Sequence, residues 1–392
     1  MKIKVLLVGS SFSAVPIYFA LKRRGFHVTV CGGVKTDPCH QYADASIFVD
    51  YSDQEALLNA VKEVDFQYIV PSCNDYSYLS ASHVANKLGY PGYDTTEITA
   101  ILHTKKLFRE KAAKFGLKAP KVITDLGNLK WEHLPCLIKP VDSFSGRGVT
   151  KVESIAEISA AIDVAKKVSR SGEVVIEQFI QGSLHSHSAF ISKGEVIADF
   201  FVDEFCTTYP YQVNCSNYPS AIPKTIQLGV RLEIERLAKE LRITDGLLHT
   251  QFMSDQNDFW IIECMRRCPG DLYGSLIERS TGVDYADMFI RPFVEISYSN
   301  ETTRSHEYYY GRHTVSSRES VVNFSFSPKL KGVELEIVQL KESGEKLEPA
   351  PFDKMAIVLI KFTDFETMTL VTPKLADYFQ INSLENKNLF NV

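Results

Sequence analysis

Apolar residues along the first part of the chain fall into short runs separated by stretches of helical spacing. Ile3–Val8, Val28–Cys31, Ile47–Val49 and Tyr68–Pro71 are strand-like, whereas Ser13–Arg24, Asp53–Val64 and Tyr76–Leu88 carry their apolar residues at helical intervals. That alternation predicts βαβ units and a parallel sheet. The rhythm changes near Thr104. A helix predicted over Thr104–Phe115 stops at Gly116, and Pro120 opens a segment of short strands, Lys121–Thr124, Cys136–Lys139, Val149–Val152 and Val174–Phe179, around one helix at Ile155–Val168. Further on, Ser188–Ser192 and Val196–Val202 read as paired strands and Ile226–Arg242 as a helix. Leu247–Met253 and Phe259–Cys264 read as a hairpin about Asp255-Gln256-Asn257-Asp258. Strands at Val333–Leu340 and Ala356–Phe362 make the last segment β-rich.

Composition narrows the class of protein. The chain has 392 residues, 45% hydrophobic and 23% charged, which excludes disorder and collagen-like structure. At roughly 100–200 residues per domain, that length predicts two to four packed units. With 43 Lys+Arg against 48 Asp+Glu, net −5, no basic surface points to nucleic acid. No run approaches the roughly 18 apolar residues of a membrane span. The run Val5–Val8 leads into Gly-Ser-Ser and reads as a buried first strand, so a cytoplasmic location is expected. The eight cysteines form no CxxC pair and are expected to be reduced, mostly buried thiols.

Three elements suit a triphosphate: Lys105 on a helix, Lys139 ending an apolar strand, and the loop Asp142-Ser143-Phe144-Ser145-Gly146-Arg147-Gly148. Lysines supply point charges, and small residues let backbone N–H groups approach phosphate oxygens. No GxxxxGK[ST] occurs, which excludes a P-loop. The turn Gly9-Ser10-Ser11 is either part of a nucleotide site or a tight strand-to-helix turn. Glu177, followed by Gln178 and Ile180, ends a strand whose edge can offer backbone groups and a carboxylate to an adenine; Glu177 as a surface charge is the alternative. Gln251 and Glu263 are predicted on facing strands, with Glu263, Met265 and Arg267 on one face by the period of two, a set suited to Mg²⁺ and phosphate. Asn74 and Asp75 end the fourth strand, where parallel sheets bind ligands, or else cap the following helix.

Read in order, these motifs resemble the ATP-grasp superfamily. Thr104-Lys105-Lys106-Leu107-Phe108-Arg109 with Gly116 to Pro120 is similar to its "DKxxxR … GxxxP" opening. Leu137-Ile138-Lys139-Pro140 and its Ser/Gly loop, then Glu177 to Gly182, resemble the grasp loop and adenine hinge. Ile262-Glu263-Cys264-Met265-Arg266-Arg267 is similar to the closing "E-x-N-x-R" strand, and Cys268 to Gly282 to the sequel in carbamoyl-phosphate-synthase-like and L-amino-acid-ligase-like members.

The resemblance implies an α/β and α+β chain with five segments. These are a Rossmann-like N-terminal domain (1–95), linking helices (96–120), an ATP-grasp small lobe (121–182), a large lobe (183–295) and a small β-rich C-terminal appendage (296–392). It implies an ADP-forming ligase joining a carboxylate to an amine through an acyl-phosphate, with ATP and Mg²⁺ as cofactors. The alternatives are a bicarbonate-using carboxylase or carbamoyl-phosphate-type synthase, and a non-catalytic ATP-binding module. Carried over by position, Lys105, Lys139 and the loop residues Ser143, Ser145, Gly146, Arg147 and Gly148 hold phosphates, and Glu177, Gln178 and Ile180 hold adenine. Glu263 and Gln251 hold the metal, and Arg267 neutralises the transferring phosphoryl or the carboxylate. Apart from the resemblance, Asn74 and Asp75, by their place after the fourth strand, and Arg266 are the candidates to face the substrate. The expected partners are small-molecule carboxylates and amines and a second copy of the chain as a homodimer, with neither nucleic acid nor membrane. Three positions depart from the pattern. Gln251 and Met265 stand where the family has Glu and Asn, and Leu184 stands where it has an acidic residue; His185 and His187 are either substitutes for it or packed or solvated strand histidines.

Overall fold

A computed structural model describes residues 2–123, 131–143, 146–298 and 308–384. The chain divides into two compact units, Met1–Ala119, Ser186–Phe201 and Pro223–Ser305 forming the first and Pro120–His185, Val202–Ile222 and His306–Val392 the second.

The first unit opens with β1 (Lys4–Val8), α1 (Val15–Arg23), β2 (His27–Cys31), α2 (Pro38–Tyr42), β3 (Ala45–Ile47), α3 (Gln54–Lys62), β4 (Tyr68–Pro71) and α4 (Asp75–Leu88). The four strands form the predicted parallel sheet, in the order β3-β2-β1-β4. Val5 to Val8 of the inner strand β1 are wholly buried, which is why their run is continuously apolar. Helix α1 starts later than its periodicity suggests. Pro16 sits in its first turn, preceded by a 3₁₀ turn at Phe12–Ala14, because proline is tolerated only where no N–H is needed. The Gly9 turn has a structural cause: its φ is +121°, and a Cβ there would lie 1.9 Å from Ser72 Oγ. Helices α5 (Thr96–His103) and α6 (Lys105–Phe115) follow.

The second unit begins with β5 (Cys136–Pro140), β6 (Thr150–Val152), α7 (Ile158–Val168) and β7 (Val174–Gln178), a three-stranded antiparallel sheet in the order β6-β5-β7. The apolar face of α7, carrying Ala161 and Ala165, packs on Cys136, Ile138, Val152 and Ile176. Strands β8 (Ser183–Ser192) and β9 (Glu195–Phe205) contribute residues to both units, and β10 (Cys215–Tyr218) belongs to the second. Helix α8 (Lys224–Leu241), β11 (Gly246–Ser254), β12 (Phe259–Met265), α9 (Tyr273–Thr281) and α10 (Tyr285–Ile290) return to the first unit. The rest, β13 (Tyr309–Val315), β14 (Phe324–Pro328), β15 (Glu334–Gln339), β16 (Ala356–Phe362), α11 (Phe365–Val371), α12 (Leu375–Tyr378) and β17 (Phe379–Ser383), completes the second. In the second unit the strand order is β9-β10-β13-β16-β15, so the C-terminal segment supplies three strands of that unit's main sheet. Among the described residues no helix is long and apolar enough to cross a membrane.

The thiols follow expectation. All eight are free, and burial pushes Cys31, Cys39, Cys215 and Cys264 up to about 12, which leaves them protonated and inert. His313 on β13 is 1% exposed, with Nδ1 3.2 Å from the carbonyl of Asn214. Burial pushes its pKa down to about 4. The unfolded chain binds a proton at this histidine between its ordinary value and that lowered one, while the folded chain does not, so stability falls with pH through that window. Lowering the pH from 7 to 5 is expected to cost about 2 kcal/mol through this residue. Denaturant titrations at the two pH values should show a drop smaller by that amount in His313→Asn.

Candidate functional site

In the second unit, Lys139 lies opposite Val175 and Glu177 opposite Leu137 on neighbouring antiparallel strands. The two charged side chains are therefore diagonal neighbours on one face of the sheet. Lys139 Nζ donates to Glu177 Oε2 at 2.6 Å, and the side chains are 8% and 0% exposed. Glu177 is thus no surface charge; its carboxylate is paired with the lysine expected to meet phosphate. The N–H of Gln178 donates to the carbonyl of Lys121 and that of Phe179 to Pro135, so the Gln178 N–H is not offered to a base. Ile180, just past the strand end, is buried.

The loop after β5 is tied down at its base. Asp142 accepts from Ser169 Oγ and from the N–H groups of Arg170 and Ser171, and these bonds hold its carboxyl below the usual range against the opposing effect of burial. Ser143 Oγ donates to the carbonyl of Arg147 at 2.8 Å, closing the turn across Gly146, and Arg147 is exposed. Gly146 has φ +70°, and a Cβ there would lie 2.6 Å from the carbonyl oxygen of Pro210. Glycine at 146 is therefore required by local fit, whatever ligand the loop meets. Gly148 also lies in this turn; Phe144 and Ser145 lie outside the described residues.

In the first unit the predicted hairpin is present, and Gln251 pairs directly with Glu263. The register shifts between Gln251 and Phe252, placing an extra residue on β12, a bulge of the kind that re-aims side chains. The expected common face of Glu263, Met265 and Arg267 needs correction: β12 ends at Met265, which is 7% exposed, and Arg267 lies beyond the strand. Among the described residues no group of three or more His, Cys, Asp and Glu side chains could hold a metal. One carboxylate facing one amide fits Mg²⁺, which binds through one or two carboxylates plus substrate phosphates and water.

A compact polar cluster sits where β4 gives way to α4. Asn74 caps the helix, its Oδ1 accepting from the N–H of Ser77 at 2.9 Å and its amide donating to Tyr51 Oη. The cap reading therefore accounts for Asn74. Asp75, in the first turn, pairs with Arg267 at 2.9 Å and with His103 Nδ1 at 3.2 Å. Burial raises its pKa, but the Arg267 charge and the His103 bond outweigh that and hold the carboxyl well below the usual range. An ionised Asp75 can only accept, so His103 Nδ1 donates, and His103 Nε2 accepts from the N–H of Arg266 at 3.4 Å. That fixes one imidazole tautomer, and the ring also stacks on Tyr78, with centroids 5.0 Å apart.

Arg266 corrects an expectation. Its side chain is 3% exposed and pairs with the fully buried Asp94 at 2.7 Å, donating also to the carbonyls of Leu247, Thr244 and Asp245. It holds the chain together and is not presented to a substrate. Lys105 is the first residue of α6, half-buried. His187, one candidate for the missing acidic contact, is wholly buried, stacked on Phe201 and bonded to Asp199 at 3.0 Å. Sequence reasoning missed His103 and Asp94. Each lies far from its partner in sequence, in a segment whose local pattern signals only a helix end or a turn.

Residues 132–273 match the ATP-grasp domain family, a span containing Lys139, Glu177, Gln251, Glu263 and Arg267. Residues 132–273 therefore read as an ATP-grasp domain, in agreement with the resemblance carried by the motifs that fall within them. A formate-dependent phosphoribosylglycinamide formyltransferase of Methanocaldococcus jannaschii is 32% identical over 187 residues, covering 45% of this chain and 48% of that protein. The protein of the same name from a Janthinobacterium species is 28% identical over 258 residues, covering 62% of each. The chain thus matches about half to three fifths of the length of these curated relatives. The L-amino acid ligase of Bacillus licheniformis shares the fold with a TM-score of 0.81 at 17% identity, over 98% of this chain and 99% of that one. The mixed α/β and α+β architecture is accordingly shared with that solved structure.

Proposed function

We propose that the chain is an ATP-dependent, ADP-forming ligase that activates a small carboxylate as an acyl-phosphate and joins it to an amine. The observation that carries this reading is the Asp75–Arg267 pair. It fixes a cation of the ATP-grasp domain at the carboxyl end of β4, where open parallel sheets receive ligands. The formate in the names of the two relatives is a carboxylate, and the fold neighbour is by name an amino acid ligase.

A carboxylate is a poor electrophile. Attack of its oxygen on the γ-phosphorus releases ADP and gives a mixed anhydride; the amine nitrogen then adds to the acyl carbon, loses a proton and expels phosphate. Lys139 and Lys105 supply positive charge to the triphosphate, and Glu177 holds the Lys139 ammonium in place. Arg267 neutralises the oxygens on which charge develops. Mg²⁺, held by Glu263 and Gln251, would screen the phosphate charge.

The test is product analysis with an ¹⁸O-labelled carboxylate. Label in the released phosphate, with ADP as the other product, is expected; AMP and pyrophosphate would overturn the reading. Of the two metal-facing residues, the carboxylate is expected to dominate. Glu263→Gln should lower turnover by about 10²-fold, equivalent to about 3 kcal/mol of lost charge stabilisation, with Gln251→Ala costing less than about tenfold. Mg²⁺ titrations of turnover check this, and equal metal dependence in both variants and wild type would remove the assignment.

A further inference from the structure

In the second unit, Ser183, His185 and Asp203 form a hydrogen-bonded chain that the ligase reading does not use. Ser183 and His185 are two apart on β8, hence on one face, and Asp203 lies on the neighbouring β9. Ser183 Oγ is 2.7 Å from His185 Nε2, and His185 Nδ1 is 2.8 Å from Asp203 Oδ1. The histidine and aspartate are 4% and 5% exposed, whereas Ser183 is exposed at the start of its strand.

Four donors converge on Asp203. Besides His185 these are Ser220 Oγ, the amide of Asn217 at 3.0 Å and the N–H of Ala221 at 2.9 Å, with Asn217 on β10 directly opposite Asp203. A carboxylate so placed is ionised and only accepts, so Nδ1 of a neutral His185 must donate to it. Nε2 is then the acceptor, and the Ser183 hydroxyl donates. This is the tautomer that lets an imidazole take a proton from a serine, with a buried carboxylate orienting the ring and stabilising the imidazolium.

We propose that Ser183 is an activated nucleophile for acyl transfer, with His185 as its general base and Asp203 as the residue that positions His185. Its substrates are activated carboxylic esters. Ser183 Oγ adds to the ester carbonyl carbon as its proton passes to His185 Nε2. The adduct expels the alcohol, which takes that proton, and an acyl group remains on Ser183. Water repeats the sequence, releasing the carboxylic acid and restoring the hydroxyl. The proposal stands independently of the ligase reading, because none of its steps uses ATP or metal.

The experiment treats the full chain, without nucleotide, with a fluorophosphonate, which loses fluoride to a reactive serine, and maps the adduct by mass spectrometry. Labelling at Ser183 is expected, together with slow p-nitrophenyl acetate hydrolysis, and both should vanish in Ser183→Ala. Asp203→Asn, verified as folded by circular dichroism, is expected to label about 10²-fold more slowly, the usual contribution of a positioned general base. If that variant does not fold, the pH profile of wild-type labelling decides instead. A rate that rises through a single ionisation to a plateau supports the proposal, and a rate merely proportional to hydroxide refutes it. An unlabelled Ser183 in wild type, or an unchanged rate in folded Asp203→Asn, would likewise overturn the assignment and leave a structural hydrogen-bond chain.

Discussion

Lys139→Ala is expected to abolish the stabilisation of the protein by ATP and to destabilise it without nucleotide. Lys139 Nζ is 2.6 Å from Glu177 Oε2, with side chains only 8% and 0% exposed. Removing the ammonium leaves a buried carboxylate without its countercharge, a change that costs about 3–5 kcal/mol when one partner of a buried pair is deleted. The second effect is separable from the first. In wild type, ATP at 100 times its dissociation constant should raise unfolding free energy by about 2.7 kcal/mol through linkage, and the alanine variant should show almost none of this at the same concentration. The double change Lys139→Met with Glu177→Leu distinguishes structure from binding. Replacing both charges by apolar groups of similar volume is often neutral or stabilising, so this variant should recover stability while remaining insensitive to ATP. Denaturant unfolding with and without nucleotide measures all three proteins. A Lys139→Ala protein that responds to ATP as wild type does would remove this lysine from the nucleotide site.

What was legible in the sequence follows from where burial is written in a regular pattern. The strands β1, β2 and β4 read clearly because each is apolar on both faces of a covered parallel sheet, and α7 and α8 because their apolar residues recur at helical spacing. The hairpin of β11 and β12 was marked by its turn residues, and Gln251 does face Glu263. Strand β13 was missed. Its sequence Tyr-Tyr-Gly-Arg-His-Thr-Val looks polar, yet Arg312 and His313 are buried between β10 and β16, Arg312 bonding to Ser216. Burial of a polar strand depends on partners far away in sequence, and no local period records them. The same limit explains the polar clusters. Asp75 was singled out by its place after β4, but its partners come from the end of α5 and from beyond β12. The period-of-two argument for Arg267 failed because the strand ends at Met265, before reaching it.

Arg267→Lys is expected to lower kcat for amide formation by about 10²-fold or more while ATP binding survives. The guanidinium is held from two sides. One nitrogen pairs with Asp75 at 2.9 Å and the other donates to the carbonyl of Cys268 at 3.3 Å, while Asp75 is itself fixed by the single tautomer of His103. A planar fork anchored in this way keeps further N–H directions fixed for oxygens on which charge grows, and it needs no rearrangement as the phosphoryl group transfers. Lysine preserves the charge but offers a single tetrahedral ammonium, which can satisfy Asp75 or the reacting oxygens but cannot hold both in this geometry. Loss of one preorganised donor of this kind costs about 10²–10³ in kcat. Because Arg267 is assigned to the transferring group and not to nucleotide binding, the ATP-induced rise in unfolding free energy should remain. Steady-state kinetics combined with ATP-dependent unfolding separates the outcomes. A variant that loses ATP stabilisation along with rate would place Arg267 in nucleotide binding, and one that keeps both would remove it from the chemistry.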